Sequence, residues 1–249
     1  MQRRSLVATS VFVAAALSGA AVFAQSNDSS SSTSESAAPH HHHMERRATY
    51  GPEILVDDAV LAVGKMKRDA HAAQLVQQAQ GILIIPHYVE AAAIVGGAGG
   101  TGVLLLQHDG KWGNPAFYRV GGASIGLQAG GAAGPVCLLL MNQKAVDAFI
   151  NHKSKWSLNG NAGLTVVKYS AEGEKGVGGG DVVLWSGTEG LFGGAALAVN
   201  DIRRDDKADR QYYGEKAPTE EILSGNINNP HEDNAKLLRD VMPLRMAAK

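Results

Sequence analysis

Several spacings in this chain match motifs that do chemistry. Gly97-Ala98-Gly99-Gly100-Thr101-Gly102 satisfies G-x-G-x-x-G, which holds a dinucleotide only when a helix follows and points its first amides at the pyrophosphate. Here Val103-Leu104-Leu105-Leu106 follows, a run of aliphatic residues that reads as strand. The glycines therefore read as close-packing positions. Gly122-Ala123-Ser124-Ile125-Gly126 satisfies G-x-S-x-G, the elbow that presents a serine to a histidine base at a strand-to-helix turn. The next residues, Leu127-Gln128-Ala129-Gly130-Gly131, continue as strand and turn, so Ser124 reads as a small residue on a packed strand. His87, His108, His152 and His231 lack the i, i+4 spacing of a helical metal pair. Asp205, Asp206 and Asp209 lack the ligand order and glycine of a calcium loop, and they read as a solvated charged loop. Cys137 lies in the apolar run 136–141 and reads as a buried structural thiol, with no second cysteine for a disulfide. No catalytic residue, metal site or cofactor is expected.

One charged cluster stands out from that background. Lys65, Lys67 and Arg68 fall close together, and Lys65 and Arg68, three apart, share a face of any helix that carries them. Such a helix is expected over 54–80. Leu55, Ala59, Val63, Met66, Ala70, Ala73 and Val76 recur every three or four positions, the mark of an amphipathic helix or of a pair broken near Gly64. Pro52 suits its first turn, and Gly81 ends it. Ile82-Leu83-Ile84-Ile85 before Pro86 then reads as a buried strand.

Beyond this point the period changes. The segments 103–106, 116–120, 124–129, 136–141, 164–169, 182–185 and 195–199 are short β-prone runs. Asp109-Gly110, Asn159-Gly160 and Gly178-Gly179-Gly180 are turn signals between them. The expected fold is α+β: an antiparallel β-barrel or sandwich of many short glycine-rich strands, with an N-terminal amphipathic helix and short C-terminal helices. The runs 136–141 and 182–185 each lead into one short helical turn, a faint internal echo. Pro218 and Gly225 bracket one C-terminal helix, and Asn229-Pro230-His231-Glu232 opens a second that Pro243 stops.

Composition bounds the function. The 249 residues carry 23 Lys+Arg against 24 Asp+Glu, with 45% hydrophobic residues and 30 glycines. Near-neutral charge gives no electrostatic footprint for nucleic acid, and the apolar content is too high for a disordered chain. Arg3 and Arg4 precede an apolar stretch over 6–22, and Val22-Phe23-Ala24 offers small residues at minus three and minus one. A signal peptide over 1–24 is therefore expected, with the protein exported to the periplasm or cell envelope of a bacterium. Residues 25–50, rich in serine and carrying His40 to His43, read as a disordered linker. The folded region is expected over 51–226, with a C-terminal helix and tail over 227–249.

Ala79 to Pro86, the glycines from Gly96 to Gly102, the stretch from Pro115 to Gly130, Gly190-Leu191-Phe192-Gly193-Gly194, and Tyr212-Tyr213-Gly214 before Thr219-Glu220-Glu221-Ile222-Leu223 follow one another in order. Taken together they resemble the SYLF domain family. The resemblance implies a lipid-binding module: eukaryotic members bind phosphoinositides through a basic amphipathic N-terminal helix, and some bind actin filaments. Carried onto this chain, it makes Lys65, Lys67 and Arg68 the lipid-binding cations. Trp112, after the Asp109-Gly110 turn, and Arg119 are secondary contacts, since an exposed tryptophan suits an interface. The expected function is non-enzymatic, peripheral association with an anionic phospholipid surface. The competing expectation is a soluble envelope protein whose glycine-rich β surface binds a protein partner or self-associates.

Overall fold

The computed structural model describes residues 51–92, 95–125, 130–152, 156–157, 163–169, 180–187, 201–214 and 217–243. The leader, the serine- and histidine-rich segment and the β-prone run 195–199 lie outside them. So do 126–129, Asn159-Gly160, Gly178-Gly179 and residues 188–192, which end the second half of the internal echo.

The expected N-terminal helix is a pair, α1 (Pro52–Met66) and α2 (Ala70–Gln78). The apolar period holds in α1, where Val56, Ala59, Val63 and Met66 are fully buried. In α2, by contrast, Ala70 is exposed, Ala73 is half-buried, and Ala72, Leu75 and Val76 make the buried face, because the new helix start resets the phase. The break falls three residues after Gly64, because the Asp69 side chain accepts from the His71 and Ala72 amides and so starts a new helix. A carboxylate at an N-cap stabilises a helix start by about 1 kcal/mol.

Among the described residues eight strands follow: β1 (Gly81–Ala92), β2 (Val95–His108), β3 (Lys111–Trp112), β4 (Ala116–Ile125), β5 (Gly130–Leu140), β6 (Val166–Lys168), β7 (Val182–Ser186) and β8 (Asp201–Arg204). They form one curled sheet in the order β6-β7-β5-β1-β2-β4-β8, with β3 paired to β2. Neighbours are antiparallel except β6 and β7. The expected α+β class with terminal helices is what the chain adopts. The central strands are longer than their apolar runs, because the glycine segments continue the ladder: Gly97 pairs with Ala123, and Gly99 with Gly121. At Gly102 a Cβ would overlap the Ile84 carbonyl oxygen, so the glycine there lets β1 and β2 approach closely.

The sheet has two halves. In the leucine-rich half Ile82, Leu83, Ile84 and Ile85 are all buried, so both faces are covered. Successive strand residues point to opposite faces, and Phe117 packs at a tilt against Tyr212 of helix α4 (Asp206–Tyr213) while Tyr118 meets Phe149 of α3 (Gln143–Asn151). In the glycine-rich half His87 and Val89 are exposed while Tyr88 between them is buried, so one face there is open. Helices α5 (Thr219–Ser224) and α6 (Glu232–Val241) complete the order. Gly225 closes α5 at φ 79°, as its position after the helix requires.

The charged loop expected at 205–209 is instead the start of α4. Asp205 caps that helix, and Asp209, 2% exposed, accepts from the Phe117 amide and from Arg204. These carboxylates are structural anchors, with partners that come from a neighbouring strand. Cys137 is buried as expected, and burial pushes its thiol up beyond the ordinary range.

Candidate functional site

The basic cluster lies at the corner where α1 turns into α2. Lys65, Lys67 and Arg68 are exposed, and among the described residues no carboxylate forms an ion pair with any of them. Lys65 runs its alkyl stem toward the end of β7, with Cδ 3.2 Å from where a Gly187 Cβ would sit. Lys67 Nζ donates to the Val241 carbonyl at 2.8 Å. That carbonyl lies in the last turn of α6, where the helix dipole favours a cation.

Asp69 pins this corner to the sheet edge. Its Oδ1 accepts the His71 and Ala72 amides at 2.9 and 3.1 Å, and its Oδ2 accepts the Tyr169 hydroxyl at 2.7 Å. Burial opposes ionisation, yet these hydrogen bonds outweigh it and hold the carboxyl below its ordinary value. Burial and the adjacent carboxylate push the Tyr169 hydroxyl up to about 12.

The other two expected contacts lie elsewhere. Trp112 is not exposed: at 5% exposure its Nε1 donates to the Pro243 carbonyl at 2.9 Å, so the indole serves as a seat for the C-terminal segment. Arg119 is exposed, but its Nε donates to Asp205 Oδ2 at 2.6 Å and so ties β4 to the cap of α4. It lies four strand positions from β7, near which Lys65 sits, or roughly 19 Å across the sheet. Lys65, Lys67 and Arg68 lie together at the α1–α2 corner, with Lys65 turned toward the end of β7 and Lys67 toward α6, and Arg119 and Trp112 do not join them.

Two residues that periodicity did not single out border the cluster. Leu61 is 71% exposed and Leu237 is 57% exposed. Leu61 falls outside the buried three-and-four pattern, and that mismatch was the available signal. Leu237 carried none, because its place beside α1 depends on tertiary packing.

The motifs that suggested chemistry are absorbed by the sheet. Gly97 to Gly102 lie inside β2 and Ser124 inside β4, both within continuing strands. The histidines have separate partners. His87 faces Asp58 at 2.9 Å, His152 stacks on Trp156, and His231 faces Glu53 at 3.2 Å. Among the described residues, no group of three or more His, Cys, Asp or Glu side chains is placed to hold a metal ion. No helix among them is long and apolar enough to cross a membrane.

A curled glycine-rich sheet with a helix pair across its leucine-rich end is the frame that carries the ordered motifs. Residues 121–242 match the Ysc84 family, described as Las17-binding protein actin regulator. That match supports the resemblance to the SYLF domain family carried by the ordered motifs. It is 28% identical over 162 residues to LAS seventeen-binding protein 3 of Saccharomyces cerevisiae, covering 63% of this chain and 35% of that one. Protein YSC84 of the same yeast is 27% identical over 162 residues, covering 63% and 34%. An SH3 domain-containing protein of Schizosaccharomyces pombe is 27% identical over 154 residues, covering 59% and 36%. The chain therefore spans about a third of the length of these curated relatives. No solved structure matches it.

Proposed function

We propose that this chain is an exported, non-enzymatic SYLF protein that associates peripherally with anionic phospholipid through the α1–α2 corner. The observation that carries the reading is the exposure of Lys65, Lys67 and Arg68 with no carboxylate partner among the described residues. Cations near an anionic leaflet contribute about 1 kcal/mol each, so three supply roughly 3 kcal/mol, or about a hundredfold in partition. The apolar stripe of α1 stays in the core, so the contact is made by the corner and the outer side of the helix. The family resemblance supports the lipid, and the arginine-led apolar leader supports export to a bacterial envelope.

Vesicle co-sedimentation tests the reading. Binding is expected to phosphatidylcholine vesicles containing phosphatidylglycerol and to be absent on phosphatidylcholine alone. It should weaken as salt shortens the screening length, and it should be lost in Lys65→Glu/Lys67→Glu/Arg68→Glu. Pelleting indifferent to both lipid charge and these substitutions would refute it. Fractionation of cells producing the chain with and without residues 1–24 tests export, and equal retention of both forms would sink that part.

A second reading has its own observation. The open face of the glycine-rich half carries Val89 at 51% exposure beside Gly99 and Gly121, and one yeast relative is named for binding a protein. A protein partner or a second copy of this chain on that face is the alternative. Wild-type protein that self-associates, and loses this with Val89→Lys while vesicle binding stays absent, would favour it.

A further inference from the structure

We infer that Leu61 and Leu237 are the inserted apolar part of the lipid contact, so that the site is built from two helices distant in sequence. The inference rests on the lipid reading above.

The two helices run side by side in the same direction. Asn234 Nδ2 donates to Asp57 Oδ1 at 2.7 Å near their starts, and Lys67 Nζ donates to the Val241 carbonyl at 2.8 Å near their ends. Between these fixed points the sequence offset is 177 residues at one end and 174 at the other. Leu237 of α6 therefore comes level with Val60 and Leu61 of α1. The two leucines expose 57% and 71% of their surface while their neighbours Leu238 and Ala62 are buried. Their direction is thus outward, away from the sheet. A single exposed leucine on a protein surface needs no explanation. Two at the same level of adjacent helices, beside three cations, form a small apolar patch with a basic border.

Charge selects the occupant. Leu61, Lys65 and Arg68 follow one another at spacings of four and three along one side of the chain, so any surface meeting Leu61 also meets both cations. Of the nearby acids, Asp240 is paired with Lys236 and Asp58 faces His87, while Asp57 accepts from the neutral Asn234 and keeps its charge, one carboxylate against the three cations of the corner. An apolar centre with a cationic border matches the headgroup and acyl boundary of an anionic bilayer, where leucine enters and lysine stays at phosphate level. Lys67 is then a positioning residue as well as a cation, because its bond to Val241 holds α6 level with α1.

The test uses the full-length chain with phosphatidylcholine vesicles containing phosphatidylglycerol, whose anionic surface attracts nearby cations. Leu61→Ser and Leu237→Ser alter exposed positions, and circular dichroism verifies that both fold. Each is expected to weaken binding about tenfold and to remove the part of binding that survives high salt. Leu237→Trp is expected to shift its fluorescence to the blue when vesicles are added. If the serine variants bind as wild type while Lys65→Glu/Arg68→Glu does not, insertion is refuted and the lipid reading stands. If wild type binds no vesicles, both fall. If the serine variants abolish a dimer and leave vesicle binding unchanged, the patch is a protein contact and the inference is overturned.

Discussion

Replacing Asp69 by alanine removes the carboxylate that both starts α2 and holds the cationic corner to Tyr169. Loss of an N-cap acceptor costs about 1 kcal/mol. The Tyr169 hydroxyl would also lose its acceptor in a residue only 7% exposed, and an unsatisfied buried donor costs about 1–3 kcal/mol. The corner is partly solvated, so the lower end applies, and the sum is about 2–3 kcal/mol. For a domain of this size that is a fall of roughly 4–12 °C in melting temperature. Tyr169→Phe keeps the cap and should cost only about 1 kcal/mol. Because the two side chains share one hydrogen bond, the double variant should show a coupling of about 1 kcal/mol in urea denaturation. The pH dependence has a definite sign. The Asp69 carboxyl lies below its ordinary value in the fold, so its contribution is present above that value and is lost as pH falls through the folded one. Tyr169 is raised to about 12, so its contribution is complete below the ordinary tyrosine range and is lost as pH rises toward 12. Additive effects of the two substitutions, or an Asp69→Ala variant within about 0.5 kcal/mol of wild type, would refute this account of the corner.

Two further substitutions test the frame around the site. Gly113→Ala would drive a Cβ into the Leu223 carbonyl oxygen, and backbone on both sides leaves little room to yield. A loss of about 3 kcal/mol or more is expected in thermal melts, and a variant as stable as wild type would contradict the packing of α5 on β2. Asp181 accepts the Thr165 amide at 2.8 Å, the Asn142 side chain at 2.8 Å and Lys144 at 3.2 Å, which holds its carboxyl down to about 2. Its contribution is present above the ordinary carboxylate range and is lost as pH falls toward 2. Asp181→Asn should therefore lower the urea midpoint at pH 7 and match wild type more closely in strong acid. Equal midpoints at pH 7 would refute it.

Which parts of this molecule could be read from the chain follows from the range of the interactions involved. The buried stripe of α1 and the ends of α5 depend on residues a turn or two apart, and the periodicity with Pro218 and Gly225 was sufficient. Strand length was not legible, since a glycine run has little β-propensity of its own and extends as strand only because Val120, Gly121 and Gly122 sit opposite it. The Asp205–Asp209 segment looked solvated because its partners, Arg119 and Phe117, come from 86 and 92 residues away. The lysines were visible as a cluster. Their place at a corner was not, because Asp69 decides where the helix breaks. Trp112 was misread for the same reason as the aspartates: its cover, Pro243, is 131 residues distant.

The register shift between Ile84 and Val89 divides the sheet into two materials joined end to end. On one side branched and leucine side chains lock against helices on both faces. On the other, glycine and alanine leave the ladder to be held mainly by backbone bonds, and each glycine gives up more chain entropy to stay there. Heat or denaturant should therefore peel the structure from its glycine end and halt at Pro86. The cationic corner, anchored in the stiff plate, would keep its shape while the far end of the same strands breathes.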